Sequence, residues 1–143
     1  MNDPIEILLV EDNPADVRLT KEAFRDSSIK HELHVVGDGA AALDYMAHSV
    51  RGIDRSGPDL VLLDLNLPKI SGLEVIKWMR AHERWKMTPV IILTTSGSPK
   101  DIKACYKEGA NCYITKPHDY DAFQEAVKQI EDFWLTLVLL PRT

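Results

Sequence analysis

The sequence predicts an α/β fold of the flavodoxin-like kind: a doubly wound, five-stranded parallel sheet in strand order 2-1-3-4-5, with five helices. Three observations carry this expectation. Short apolar runs alternate five times with longer segments of helical periodicity, and such β-α alternation is the pattern of a parallel sheet with helices on both faces. The runs are continuously apolar, as strands covered on both faces are. Four of the five helical segments open on Asp or Ser, and one closes on Gly, where helix ends leave backbone groups to be satisfied.

The elements follow in order. The first strand is expected over 5–10, with Glu6 as its only charge, and a helix over 14–26 with Val17, Leu19, Ala23 and Phe24 as apolar positions. The second strand, over 33–36, ends in a β-branched pair, and Asp38 can cap a helix over 40–48. The third strand is the apolar run 60–63; Ser71 can cap a helix over 73–85, with Glu74 placed as in a capping box. The fourth strand, over 90–93, has Pro89 just ahead of it. Ser98 and Pro99 then make a favoured helix start, and Gly109 a left-handed stop. The fifth strand covers 111–115. Asp119 can cap the last helix from Tyr120 onward, where Phe123, Val127, Ile130 and Trp134 recur at core-face spacing.

Composition narrows the function. The 143 residues are one domain's worth, read as a single domain over 1–143. A net charge of -5 argues against nucleic acid or an anionic membrane surface as the main partner. No signal peptide is read, and no run approaches the roughly 20 apolar residues of a membrane span. Cys105 and Cys112 fit free thiols in a reducing compartment and match no zinc spacing. A cytoplasmic protein is expected.

In a 2-1-3-4-5 sheet, ligands bind outside the carboxyl ends of strands 1 and 3. The first strand ends in Glu11-Asp12 and the third in Asp64. Like charges repel by about 4 kcal/mol at 4 Å in an effective dielectric near 20, so a hard divalent cation such as Mg²⁺, which takes oxygen ligands, is the natural counterion. The fourth strand ends in the hydroxyls Thr94-Thr95-Ser96, and the fifth in Lys116-Pro117. Anions, a hydroxyl donor and a fixed cation together suit a site for a metal and a phosphoryl group.

These pieces carry a resemblance. Leu9-Val10-Glu11-Asp12-Asn13, Leu62-Leu63-Asp64-Leu65-Asn66-Leu67-Pro68 with Ser71-Gly72, Ile92-Leu93-Thr94-Thr95, and Lys116-Pro117 stand in order. So arranged, the chain resembles the receiver domain of bacterial two-component response regulators over residues 5–133. The resemblance implies that Asp64 is the phosphoacceptor, phosphorylated by a phosphohistidine on a sensor histidine kinase. It implies that Glu11 and Asp12, with Asp64 and the Asn66 backbone carbonyl, hold Mg²⁺. Thr94 is implied to turn toward the phosphoryl group, Lys116 to pair with it, and Tyr113 to swing inward on activation. The Lys116–Pro117 bond is implied to be cis. Such a protein is no enzyme beyond its own phosphorylation and dephosphorylation.

Some positions depart from that pattern. Thr95 stands where a smaller Ala is common, and His118 where an apolar aromatic is. Asn66 and Ser96 flank the pocket. Segment 49–57 lengthens the connection into the third strand and reads as a tolerated surface insertion. Six of the seven residues 134–140 are apolar, too many for one helix face. This extension, 134–143, either folds back on its own domain or, the preferred reading, forms a homodimer interface with the fourth and fifth helices. No output domain is read after it. The loop and tail also resemble the small response regulators paired with cyanobacterial phytochromes, which implies a light-regulated kinase as partner. Two other readings compete with it: a receiver fold used for binding without phosphorylation, and a flavodoxin-like or aspartate-based phosphohydrolase. The latter lacks a general acid two residues after Asp64 and a glycine-rich loop after the first strand.

Overall fold

A computed structural model describes residues 4–51 and 57–141. Its five parallel strands are β1 (Ile5–Val10), β2 (His31–Val36), β3 (Leu60–Leu63), β4 (Val90–Thr94) and β5 (Cys112–Thr115), in the order β2-β1-β3-β4-β5. The helices are α1 (Pro14–Arg25), α2 (Gly39–Arg51), α3 (Gly72–Ala81), α4 (Pro99–Glu108) and α5 (Tyr120–Glu131). The expected sheet and helix count are those found.

The alternation of side chains along a strand divides the core in two. Leu8, Val10, Val61, Leu63, Val90 and Ile92 face α2, α3 and α4. Ile7, Leu9, Leu60, Leu62, Ile91 and Leu93 face α1 and α5. All of β3 and β4 is buried, which is why their sequences are apolar except for Thr94 at the end of β4. The edge strands are less covered: β2 is half-exposed along its length, and it begins two residues earlier than expected because His31 and Glu32 pair in register with Ile5 and Glu6.

The expected caps form. Asp38 Oδ1 accepts from Ala41 N at 2.7 Å, Ser71 from Glu74 N, Ser98 from Asp101 N and Asp119 from Ala122 N. Gly109 has φ 111° and closes α4. Asn13, whose side chain caps α1 through Ala15 and Asp16 N–H, was an unread cap. Two boundaries differ from expectation. Helix α3 stops at Ala81, not at 85, because His82 turns extended. Arg80 holds the turn, donating to the carbonyls of Gly109, Lys86 and Thr88. Trp85 is fully buried from that turn, so its apolar character marked core and not helix. The Lys116–Pro117 bond is trans, as are all the described peptide bonds, against the cis form implied by resemblance; the tertiary amide before proline favours trans.

Beyond α5 the chain continues as a π-helical segment, Asp132–Leu137. Widening the helix turns Leu135 into the α1/α5 core with Trp134 packed beside it, while Phe133, Leu137 and Leu139 stay exposed. The tail is thus partly folded back and partly bare. Of the 49–57 insertion, Ser49 and Arg51 belong to α2, and residues 52–56 lie outside the described residues.

Candidate functional site

The site is built by the carboxyl ends of β1, β3 and β5. Glu11 follows β1 and is fixed by its N–H on the Val36 carbonyl at 3.0 Å; Asp64 follows β3, with its N–H on the Val10 carbonyl at 3.0 Å. Gly72 keeps the β3–α3 turn tight, since a Cβ there would lie 2.4 Å from the Asp64 carbonyl oxygen. The Gly72 N–H closes the turn on Leu65 O. Lys116 follows β5, its N–H held by Thr94 O.

These ends bring Glu11, Asp12 and Asp64 together, each offering a carboxylate oxygen within 4.8 Å of the others. Lys116 lies among them, 5% exposed. Its Nζ donates to Glu11 Oε1 at 2.6 Å, Asp16 Oδ2 at 2.8 Å and Asp64 Oδ2 at 3.1 Å. Asp16, in the first turn of α1, was read from sequence only as part of a helix. An acidic residue there suits the helix dipole, which masks its second role.

Three carboxylates therefore share one buried ammonium, and a fourth, Asp12, lies beside Glu11 and Asp64. Burial pushes the Glu11 carboxyl up to about 7, with Asp64 adding to the rise and Lys116 opposing it. Burial acts to discharge Lys116, but its hydrogen bonds to Asp16 and Glu11 outweigh that and carry the ammonium above its ordinary value. The two rises differ in cause: burial for Glu11, and for Lys116 the surrounding carboxylates, whose negative charge is in excess of the one cation. The same excess suits a divalent cation. The donors are all carboxylate oxygens, which match Mg²⁺ or Mn²⁺ and not a soft metal.

The other expected residues stand around this core. Asn66 is exposed, and its N–H donates to Asp64 Oδ1 at 3.3 Å. Thr94 is fully buried at the end of β4, its hydroxyl in a long contact with Ser96 N. Tyr113 is half-buried, and its hydroxyl donates to the Ser96 carbonyl at 2.9 Å. Its N–H donates to Tyr106 Oη. Ser96 Oγ donates to Asp101 at 2.6 Å, which ties the β4–α4 loop to α4. Thr95 and His118 are exposed. The Ser96–Asp101 tie was not legible from spacing, since nothing marks a loop serine's partner.

Comparison with known proteins agrees with this geometry. The response regulator receiver domain family matches residues 7–128. Response regulator Rcp1 of Synechocystis sp. is 42% identical over 140 residues, covering 98% of this chain and 95% of Rcp1. The crystal structure of the Mn²⁺-bound form of Rcp1 superposes with a TM-score of 0.90 over 96% of this chain and 99% of that one. The phosphorylated cyanobacterial phytochrome response regulator RcpA, 42% identical, gives a TM-score of 0.91 over 97% of this chain and 99% of that one.

Proposed function

This chain belongs to the response regulator receiver family, and from that premise we propose that it is a phosphorelay protein that accepts a phosphoryl group on Asp64 from a histidine kinase. The observation that carries the reading is the contact of Lys116 Nζ with Asp64 Oδ2 at 3.1 Å inside a buried acidic cluster. It puts a nucleophilic carboxylate, a fixed cation and further oxygen donors at one point.

The roles follow from the chemistry. An Asp64 oxygen attacks phosphorus, the phosphorus–nitrogen bond of the phosphohistidine breaks, and the electron pair stays on the imidazole. Catalysis of such a transfer is positioning and charge neutralisation. Lys116 supplies one positive charge; Glu11, Asp12, Asp64 and the Asn66 carbonyl hold Mg²⁺, which supplies the rest when bound. The Asn66 N–H and Lys116 grip different oxygens of Asp64 and so orient the carboxylate. Thr94, at the end of the neighbouring strand, donates to the new phosphoryl group. The protein is otherwise no enzyme.

The phosphoryl group adds about -1.5 to -2 of charge. Drawing Thr94 toward it disturbs the Ser96 backbone that holds the Tyr113 hydroxyl, and the α4–β5–α5 surface repacks. That surface continues into Phe133, Leu137 and Leu139, and a homodimer through α4, α5 and the tail covers them. Likeness to RcpA and Rcp1 supports a phytochrome-type, light-regulated kinase as donor.

Transfer from a phytochrome-type kinase carrying a labelled phosphohistidine tests the reading. Label appears on this chain within minutes in Mg²⁺ and not in chelator. Transfer to an Asp64→Asn variant at the wild-type rate contradicts it, and would favour a receiver fold that acts by binding alone. Sedimentation that finds only monomer at micromolar concentration, phosphorylated or not, contradicts the dimer.

A further inference from the structure

We infer that Asp16 is a positioning residue for Lys116, a tether that keeps the ammonium over the phosphoryl site when the other carboxylates turn to a metal. This inference rests on the reading of Asp64 as phosphoacceptor. A lysine ammonium has three N–H donors and no acceptor. Here all three are taken: by Glu11 at 2.6 Å, Asp16 at 2.8 Å and Asp64 at 3.1 Å. The three partners are not equivalent. Glu11 and Asp64 belong to the group of carboxylates whose oxygens converge within 4.8 Å, and Asp16 does not.

A divalent ion in that group draws on Glu11 and Asp64. Phosphorylation then blocks an Asp64 oxygen, and the ammonium turns to the phosphoryl oxygens that carry the new charge. Asp16 is the partner that keeps its hold on Lys116 through both changes, from outside the metal cluster and from a different element. It stands on the first turn of α1, whose start is fixed by the Asn13 cap on Ala15 and Asp16 N–H, so its carboxylate is held by a rigid helix end. A four-carbon lysine stem has ample rotamer freedom, and without Asp16 the ammonium loses its fixed bearing.

The test is a double-mutant cycle between Asp16 and Lys116, read in two ways. First, labelling by acetyl phosphate at saturating Mg²⁺ is followed. Asp16→Ala slows it by about 10-fold, the scale of one lost hydrogen bond to a charged group. The Mg²⁺ concentration for half-maximal rate is unchanged. Asp16→Asn, which keeps an acceptor oxygen, recovers part of the rate and guards against a folding defect in the alanine variant. In a Lys116→Ala background, Asp16→Ala slows nothing further. Second, melting of the metal-free protein is followed. Asp16→Ala lowers the melting temperature when Lys116 is present. It lowers it less in the Lys116→Ala background, where the ion pair is already gone and relief of repulsion offsets the lost helix-dipole interaction.

Labelling by Asp16→Ala at or above the wild-type rate overturns the inference. So does an equal loss in both backgrounds, or a melting shift of the same sign and size in both. A wild-type chain that takes no label, or an Asp64→Asn chain that labels equally well, instead overturns the phosphoacceptor reading, while the metal-free melting cycle still judges the tether.

Discussion

Two acidic clusters lie on the same sheet and differ in almost everything but charge. At the carboxyl ends of β1 and β3, Glu11 and Asp64 are almost wholly buried, and the cation between them, Lys116, is 5% exposed. Nearer the amino ends of β1 and β2, Glu6 and Glu32 are ladder partners. The imidazole beside them, His34, lies 3.8 and 3.6 Å away and is 39% exposed, with Glu32 at 56%. Water relaxes the second cluster, so its charges cost little and hold little. The first is removed from water at the topological switch point, where unbalanced charge is expensive. Carboxylates become a site through burial and a shortage of counterions, and composition alone does not distinguish the two groups.

The largest expected effect breaks the buried cluster. Lys116→Met in metal-free protein above pH 7 leaves the carboxylates without their cation and lowers unfolding free energy by about 3–5 kcal/mol in urea titration. A loss no greater than that of an exposed lysine would erase the contrast. Next is the cation itself. Mg²⁺ at about a hundredfold excess over its Kd stabilises the protein by about 2.7 kcal/mol. Asp12→Asn reduces this gain, and Glu32→Gln leaves it intact.

The pH dependence sharpens the comparison further. Burial holds the Glu11 carboxyl at about 7, above its ordinary 4.5, so the folded chain binds that proton more tightly than the unfolded chain does. In metal-free protein its contribution to stability is full below pH 4.5 and is lost as pH rises through 7. Glu11→Gln flattens that slope. Divalent-ion affinity moves the other way, rising about tenfold per pH unit up to 7 and levelling above it, as measured by calorimetry. The smallest effect belongs to the exposed cluster: Glu32→Gln changes unfolding free energy by less than about 1 kcal/mol.

The same contrast explains what the sequence could and could not reveal. Strands covered on both faces write continuous apolar runs, so β1, β3 and β4 were legible almost to the residue. The half-exposed β2 was short by His31 and Glu32, whose polar character hides a paired strand. Asp and Ser caps act locally and were readable. The turn after α3 is held by Arg80 reaching carbonyls near Gly109 and Thr88, a long-range bond that no local pattern announces. In the site, Glu11, Asp12, Asp64 and Lys116 follow from strand ends and topology. Asp16 does not, because its partner is a hundred residues away and its position has an ordinary helical explanation. Leu135 was hidden likewise: only the π-helical widening separates it from its exposed neighbours.

The central claim is that Asp64 is the nucleophile of the buried cluster, and intact-mass measurement tests it most directly. Wild-type chain and Asp64→Asn are each incubated with Mg²⁺ and acetyl phosphate, then with chelator as control. The account predicts a single phosphoryl adduct on the wild type, acid-labile in the way of an acyl phosphate, and none on Asp64→Asn. An adduct of equal yield on both chains, or one that survives acid and base alike, would contradict it.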